Sequence, residues 1–213
     1  MAAQQGEIEI CNQAIAKVGG KRINSFSDGT DEANLSEAFY ASTRDQVLEA
    51  ADWSFARVRH MISPLLEVPV SGYTHAYQKP KDVLKVRNVY TSSRGDVEIR
   101  DWDVEGETIV VNGPSLGSIW TRSTQRIINP PQFSPLFIAA LAARLAAEFA
   151  IPIAQSRALR RDMWSEYEQK LPDATSSDGQ QGRTRRVRAT SLIRVRGGAG
   201  RGPWVYGPAV PDA

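Results

Sequence analysis

The residues best suited to chemistry in this 213-residue chain cluster near its end: Arg183, Arg185, Arg186, Arg188, Arg194, Arg196 and Arg201, followed by Trp204, Val205 and Tyr206. Guanidinium groups are fixed forks of hydrogen-bond donors, and buried aromatics together with arginine dominate protein interfaces. The chemistry on offer is therefore recognition, with arginines as donors and Trp204 as a plug. Gly202-Pro203 and Gly207-Pro208 bracket the two aromatics and present them on a locally stiffened backbone. From Asp173 onward the chain is rich in Gly, Pro, Ser and Arg and has no long apolar stripe. Such a segment buries too little apolar surface to offset the entropy of ordering it. Two readings remain: a solvated tail, or an extended arm that orders on a partner.

Bond-making constellations are hard to find. His60 and His75 have no acids or cysteines at ligand spacing, so each reads as a surface or packing residue, and no metal or cofactor is expected. Cys11 stands alone, which excludes an internal disulfide, and it sits at helical spacing among apolar residues. No phosphate loop, GxSxG or HExxH pattern occurs, and the glycine-rich run 197–202 opens no helix. Glu32, Glu37 and Glu49 lie on predicted helices, where acids usually belong to solvated faces. A carboxylate pair for glycoside hydrolysis needs a separation across a cleft that spacing along the chain does not show. The expectation is a protein without turnover, with a cell-wall hydrolase or a nucleic-acid binder as alternatives.

The elements that would carry these residues are legible. Ile8, Cys11, Ile15 and Val18 predict a first helix over about 5–18, stopped by Gly19-Gly20. Asp28 and Thr30 offer caps for a second helix running to about Asp52, with Leu35, Phe39, Thr43 and Val47 roughly one turn apart. Trp53 and Phe55 are expected to fill the core beneath the first helix. From Pro80 the alternation in VLKVRNVYT, DVEIRDWDV, ETIVVN and SIWTRS predicts strands joined by turns at Arg94-Gly95-Asp96, Glu105-Gly106-Glu107 and Asn112-Gly113-Pro114. Ser134-Pro135 opens a third helix with Phe137, Leu141, Leu145 and Phe149 on one stripe, ending at Ile151-Pro152. A fourth, about 154–171, carries Leu159, Met163 and Tyr167 on one side and Arg157, Arg160 and Arg161 elsewhere, and Pro172 is expected to close it.

The reading is an α+β, mainly α chain: a helical bundle with a small inserted antiparallel β region and an extended C-terminal arm. Its expected segments are 1–68 (helical), 69–128 (inserted β), 129–172 (helical) and 173–213 (arm). Core packing is assigned to Trp53, Phe55, Phe39, Leu141 and Leu145. Net charge is only +2, but residues 174–213 carry +5, leaving −3 on the rest. No apolar run is expected to reach the roughly 20 residues of a membrane span. The opening residues lack a charged n-region and an apolar h-region, so no secretory signal is expected, and synthesis in a cytoplasm follows.

The order of these features resembles the tail tubular protein A family of short-tailed bacteriophages, the head-to-tail adaptors. The residues that carry the resemblance are QAIAKVGGKRINSF, closing the first helix on a Gly pair; the acidic loop SDGTDEA; Ala51-Asp52-Trp53-Ser54-Phe55; the strand entry Tyr77-Gln78-Lys79-Pro80-Lys81-Asp82; and the late helix AALAARLAAEFA before Ile151-Pro152. They span roughly residues 5–172. The resemblance implies a virion protein, made in the host cytoplasm, that forms a ring, usually of twelve copies, between the portal protein and the tail nozzle protein. It further implies a lumen that conducts double-stranded DNA at ejection without reading its sequence, no membrane anchor, and a C-terminal arm that grips the portal. No catalytic residue is carried over by it.

Overall fold

The first described helix, α1 (Ala2–Lys17), buries the predicted stripe, with Cys11 and Ile15 almost fully enclosed. In the computed structural model the residues described are 2–67, 69, 72–95, 97–113 and 117–180. After α1 the chain turns through Gly19 at φ 77°, a left-handed conformation natural to glycine. At Gly20 an added Cβ would stand 2.8 Å from the Ile15 methyl and 3.2 Å from that of Ile153, so this backbone packs too closely for any side chain. Helix α2 (Asp31–Ala50) starts on Thr30, whose hydroxyl accepts from the Ala33 amide at 3.2 Å, with Asp31 and Glu32 at the positive end of the dipole.

Helix α3 (Pro135–Ala154) is capped by Ser134, whose hydroxyl accepts from the Phe137 amide at 3.2 Å. It is the axle of the bundle and packs against α1, α2 and α4 (Arg157–Gln180). Alanines between the large residues of α3 let those neighbours approach closely: Ala140, Ala142, Ala143, Ala146, Ala147 and Ala150 are all buried. The expectation that no apolar run reaches the length of a membrane span is corrected here. Among the described residues α3, 20 residues long, is the one helix long and apolar enough: its most apolar 18-residue stretch has a mean hydropathy of 1.9, and 56% of that stretch is buried inside the bundle.

Among the described residues, seven strands in two small antiparallel sheets lie between α2 and α3. β1 (Arg57–Ile62), β7 (Ile119–Gln125), β3 (Val83–Tyr90) and β4 (Glu98–Ile99) form one sheet in that order; β2 (His75–Gln78), β6 (Thr108–Val111) and β5 (Trp102–Glu105) form the other. Residues from both sheets share a core of Ile62, Tyr77, Val83, Val86, Val89, Ile109, Val111 and Ile119. The described residues are thus mixed α+β and mainly α, with an inserted antiparallel region, as the sequence predicts.

Three boundaries differ from expectation. The β region begins at Arg57 rather than near residue 69, because β1 pairs along its whole length with β7, from Arg57 opposite Thr124 to Ile62 opposite Ile119. Only Val58, His60 and Ile62 of β1 turn inward, too short an alternation to stand out beside the helix before it. Pro152 lies inside α3, which ends at Gln155 in the left-handed region at φ 49°. Pro172 likewise fails to close α4, which runs on to Gln180. Proline removes one helical hydrogen bond and crowds the preceding turn. Here the next turns dock: Ala174 and Asp178 are buried, and Asp178 accepts from both the Ser54 amide and the Ser54 hydroxyl at 2.6 Å. The segment expected as arm from residue 173 is therefore helical to Gln180, and the described residues cluster as one compact unit.

Candidate functional site

Arg183, Arg185, Arg186, Arg188, Arg194, Arg196, Trp204 and Tyr206 lie outside the described residues. The predicted core residues are brought together. Trp53, Leu141 and Leu145 are fully buried, while Phe55 and Phe39 are half-buried at the edge of the same cluster. The Trp53 ring meets Phe137 edge-on at 5.0 Å and stacks with Phe55 at 5.9 Å, and its indole N–H donates to the Val47 carbonyl at 2.9 Å. Trp53 and Phe55 thus join α2, the following 3-10 turn (Ser54–Ala56) and α3, a packing role that satisfies the one polar atom of the indole.

Carboxylates weighed for chemistry are dispersed. Glu37 and Glu49 are exposed on α2, and Glu32 accepts from the Lys21 amide at 3.0 Å, which holds its carboxyl below the usual range. Cys11 is enclosed, and burial pushes its thiol up to about 12, so it stays protonated and unreactive at neutral pH. Glu7 is raised by burial, a shift that the nearby Arg44 partly offsets. Among the described residues no group of three or more His, Cys, Asp or Glu is placed to hold a metal ion.

A groove of about 740 Å³ lies on the outer side of α4. A short turn positions it. The Gln155 amide donates to the Ile151 carbonyl at 3.0 Å, and the Ser156 hydroxyl accepts from the Leu159 amide at 3.1 Å, so α4 starts at once beside α3. Residues 157, 160, 161, 164, 165 and 168 then fall on one face of α4 by helical spacing. With Ile151 of α3 they line the groove. Ile151 and Trp164 are its apolar floor, 40% and 38% exposed.

Trp164 is held in place. Its indole N–H donates to Glu168 at 2.9 Å, the Arg144 guanidinium lies 4.3 Å from its ring centre, and Tyr167 meets it at 5.9 Å. Arg144 is fixed in turn by an ion pair to Glu148 and a 3.1 Å hydrogen bond to Gln46 of α2. On another side of α4, Glu166 accepts from Lys17 at 2.6 Å and Lys170 at 2.5 Å. Burial raises that carboxyl, and the two lysines more than reverse it, leaving it below its usual range.

Arg157, Arg160 and Arg161 stand together without a carboxylate. Arg44, Arg57, Arg122, Arg126 and Arg144 each meet one, whereas these three, like the scattered Arg22, Arg59 and Arg100, are exposed and make no ion pair among the described residues. They occupy the first turns of α4, where the dipole is positive and disfavours cations. The sequence reading places them on the fourth helix away from its apolar side and gives them no role. The signal that could have marked them is this run of unpaired cations at a helix start.

An opposite patch lies in the β region. Asp101, Asp103, Glu105 and Glu107 are exposed on and beside β5, an edge strand, and none joins an ion pair among the described residues. Asp101 accepts from Asn112 at 2.9 Å and Asp103 from the Val104 amide at 2.7 Å. Tyr73 registers their field: lost hydration, then the charges of Asp103, Asp101 and Glu105, raise its hydroxyl.

Fold and surface together define a mainly helical α+β unit carrying two separate charged patches that make no ion pairs among the described residues. No family model matches the chain, and no curated protein matches it either.

Proposed function

We propose that the chain is a structural head-to-tail adaptor of a short-tailed bacteriophage virion. Copies form a ring, of twelve in the usual arrangement, between portal and tail nozzle. The lumen passes double-stranded DNA, and the C-terminal arm grips the portal. The observation that carries this reading is the order of elements: two helices, an inserted antiparallel β region, two more helices, then an arginine-rich segment ending in Trp204 and Tyr206. The motifs behind the resemblance also fall at junctions: the Gly pair after α1, Trp53-Ser54-Phe55 between α2 and β1, and Tyr77–Asp82 from the last residues of β2 up to β3.

The arm orders by coupled folding and binding, so the ring closes only on its portal, or far better with it. Co-sedimentation with portal rings tests this. Deleting residues 198–213 abolishes attachment and leaves the helical unit folded, and Trp204→Ala weakens attachment by about 2 kcal/mol or more, as central aromatic anchors do. Retained portal binding by the truncated chain would overturn the role given to the arm. A duplex shift assay on the same proteins separates portal from DNA, since phosphate contacts give strongly salt-dependent binding.

A further inference from the structure

We propose that the arginine groove of α4 receives the acidic β5–β6 hairpin of a second copy of this chain. The inference rests on the ring reading for its geometry, because it names the two surfaces through which neighbouring copies meet. Three observations converge on it. Arg157, Arg160 and Arg161 have no partner carboxylate among the described residues, and they stand where the helix dipole makes cations unfavourable. Asp101, Asp103, Glu105 and Glu107 likewise stand exposed without a cation. Each patch repels itself, and each is the complement of the other.

The groove also supplies what a charge patch alone lacks. Ile151 and Trp164 form an apolar floor, with Trp164 already oriented by Glu168 and Arg144. A fixed aromatic ringed by arginines is the composition of an interface centre. The hairpin is shaped to enter it. Along β5 the side chains alternate, with Trp102 and Val104 turned toward the β core and Asp103 and Glu105 outward. Carboxylates on an edge strand also discourage backbone pairing with other strands. That accounts for acids on β5, but not for unpaired arginines at the start of α4. Groove and hairpin are different surfaces, so their contact is head-to-tail, the kind that closes into rings. A nucleic-acid occupant fits less well, since Glu168 lines the same groove and would face phosphate.

Sedimentation velocity on the full chain, over a concentration series in about 50 mM and about 500 mM sodium chloride, tests the contact. The unaltered chain self-associates weakly in low salt, and high salt weakens this about tenfold or more. Arg160→Glu with Arg161→Glu loses the association, as does Asp103→Lys with Glu105→Lys. All of these positions are exposed, and circular dichroism checks that each variant folds. The chain carrying all four substitutions has its patches exchanged and regains self-association. A chain that is monomeric throughout, association that either reversal leaves intact, or duplex binding by the groove without self-association would each overturn the inference. Rings of the Arg160→Glu, Arg161→Glu chain that still assemble on the portal would remove this contact and leave the adaptor reading standing. Failure of the unaltered chain to bind portal would remove the adaptor reading and leave the measured self-association as it is.

Discussion

Replacing Asp178 tests why α4 continues past a proline. The carboxylate is 4% exposed and accepts two hydrogen bonds at 2.6 Å, from the Ser54 amide and hydroxyl. Hydrogen bonds to a charged group contribute roughly 1.5–3 kcal/mol each, and an orphaned buried donor costs about 1–3 kcal/mol. Ser54 is half-exposed, so water can reach its freed donors, and the sum reduces to about 2–3 kcal/mol for Asp178→Ala. A second limit applies. If residues 173–180 undock without the rest unfolding, the global loss cannot exceed what their docking contributes, which is these bonds plus the burial of Ala174. The expected signature is therefore a modest fall in melting temperature, about 4–10 °C, with a large, localised loss of amide protection in 173–180. Ser54→Ala removes the hydroxyl donor alone, and the double-mutant cycle with Asp178→Ala should give a coupling energy of about 1 kcal/mol or more. Hydrogen exchange with mass spectrometry reads the local term and denaturant melts the global one. Unchanged protection in 173–180, or a coupling below about 0.3 kcal/mol, would refute the idea that this contact carries α4 beyond Pro172.

Two further outcomes follow from buried polar groups and ion pairs. The Thr121 hydroxyl is fully enclosed on β7 without a hydrogen-bond partner among the described residues, so the near-isosteric Thr121→Val should stabilise the chain by about 1 kcal/mol in urea melts. Glu166 is held below its usual range, so its pairing with Lys17 and Lys170 stabilises the fold above the ordinary carboxylate value of 4.5, and that stability is lost as pH falls through the lowered folded value. Thermal melts of Glu166→Gln should lie below those of the unaltered chain at neutral pH and meet them in acid. A gap that persists in acid would assign the effect to packing.

Periodicity alone determined the helical core. Cys11, Ile15, Val47, Leu141, Leu145 and Phe149 lie one turn or two apart within their helices, and a stripe at that spacing has one face to bury whatever its neighbours are. The caps Thr30 and Ser134 were legible for the same local reason, since a hydroxyl before a helix satisfies an amide within three residues. Strands β3, β6 and β7 could be read from alternation and turn residues, whereas the single run DVEIRDWDV is divided between β4 and β5, which belong to different sheets. What lay beyond the sequence depended on partners distant along it. β1 exists because β7, some sixty residues away, pairs with it. α4 outlasts Pro172 because Ser54, 124 positions earlier, meets Asp178. The groove residues show the same division. Sequence places Arg157, Arg160, Arg161 and Trp164 on one helix, and only packing decides that no acid among the described residues pairs with the three arginines while Arg144 covers the indole. Local patterns specify which face of an element is apolar; which elements meet, and which charges are left over, is decided by long-range packing, because those contacts form only when the whole core closes.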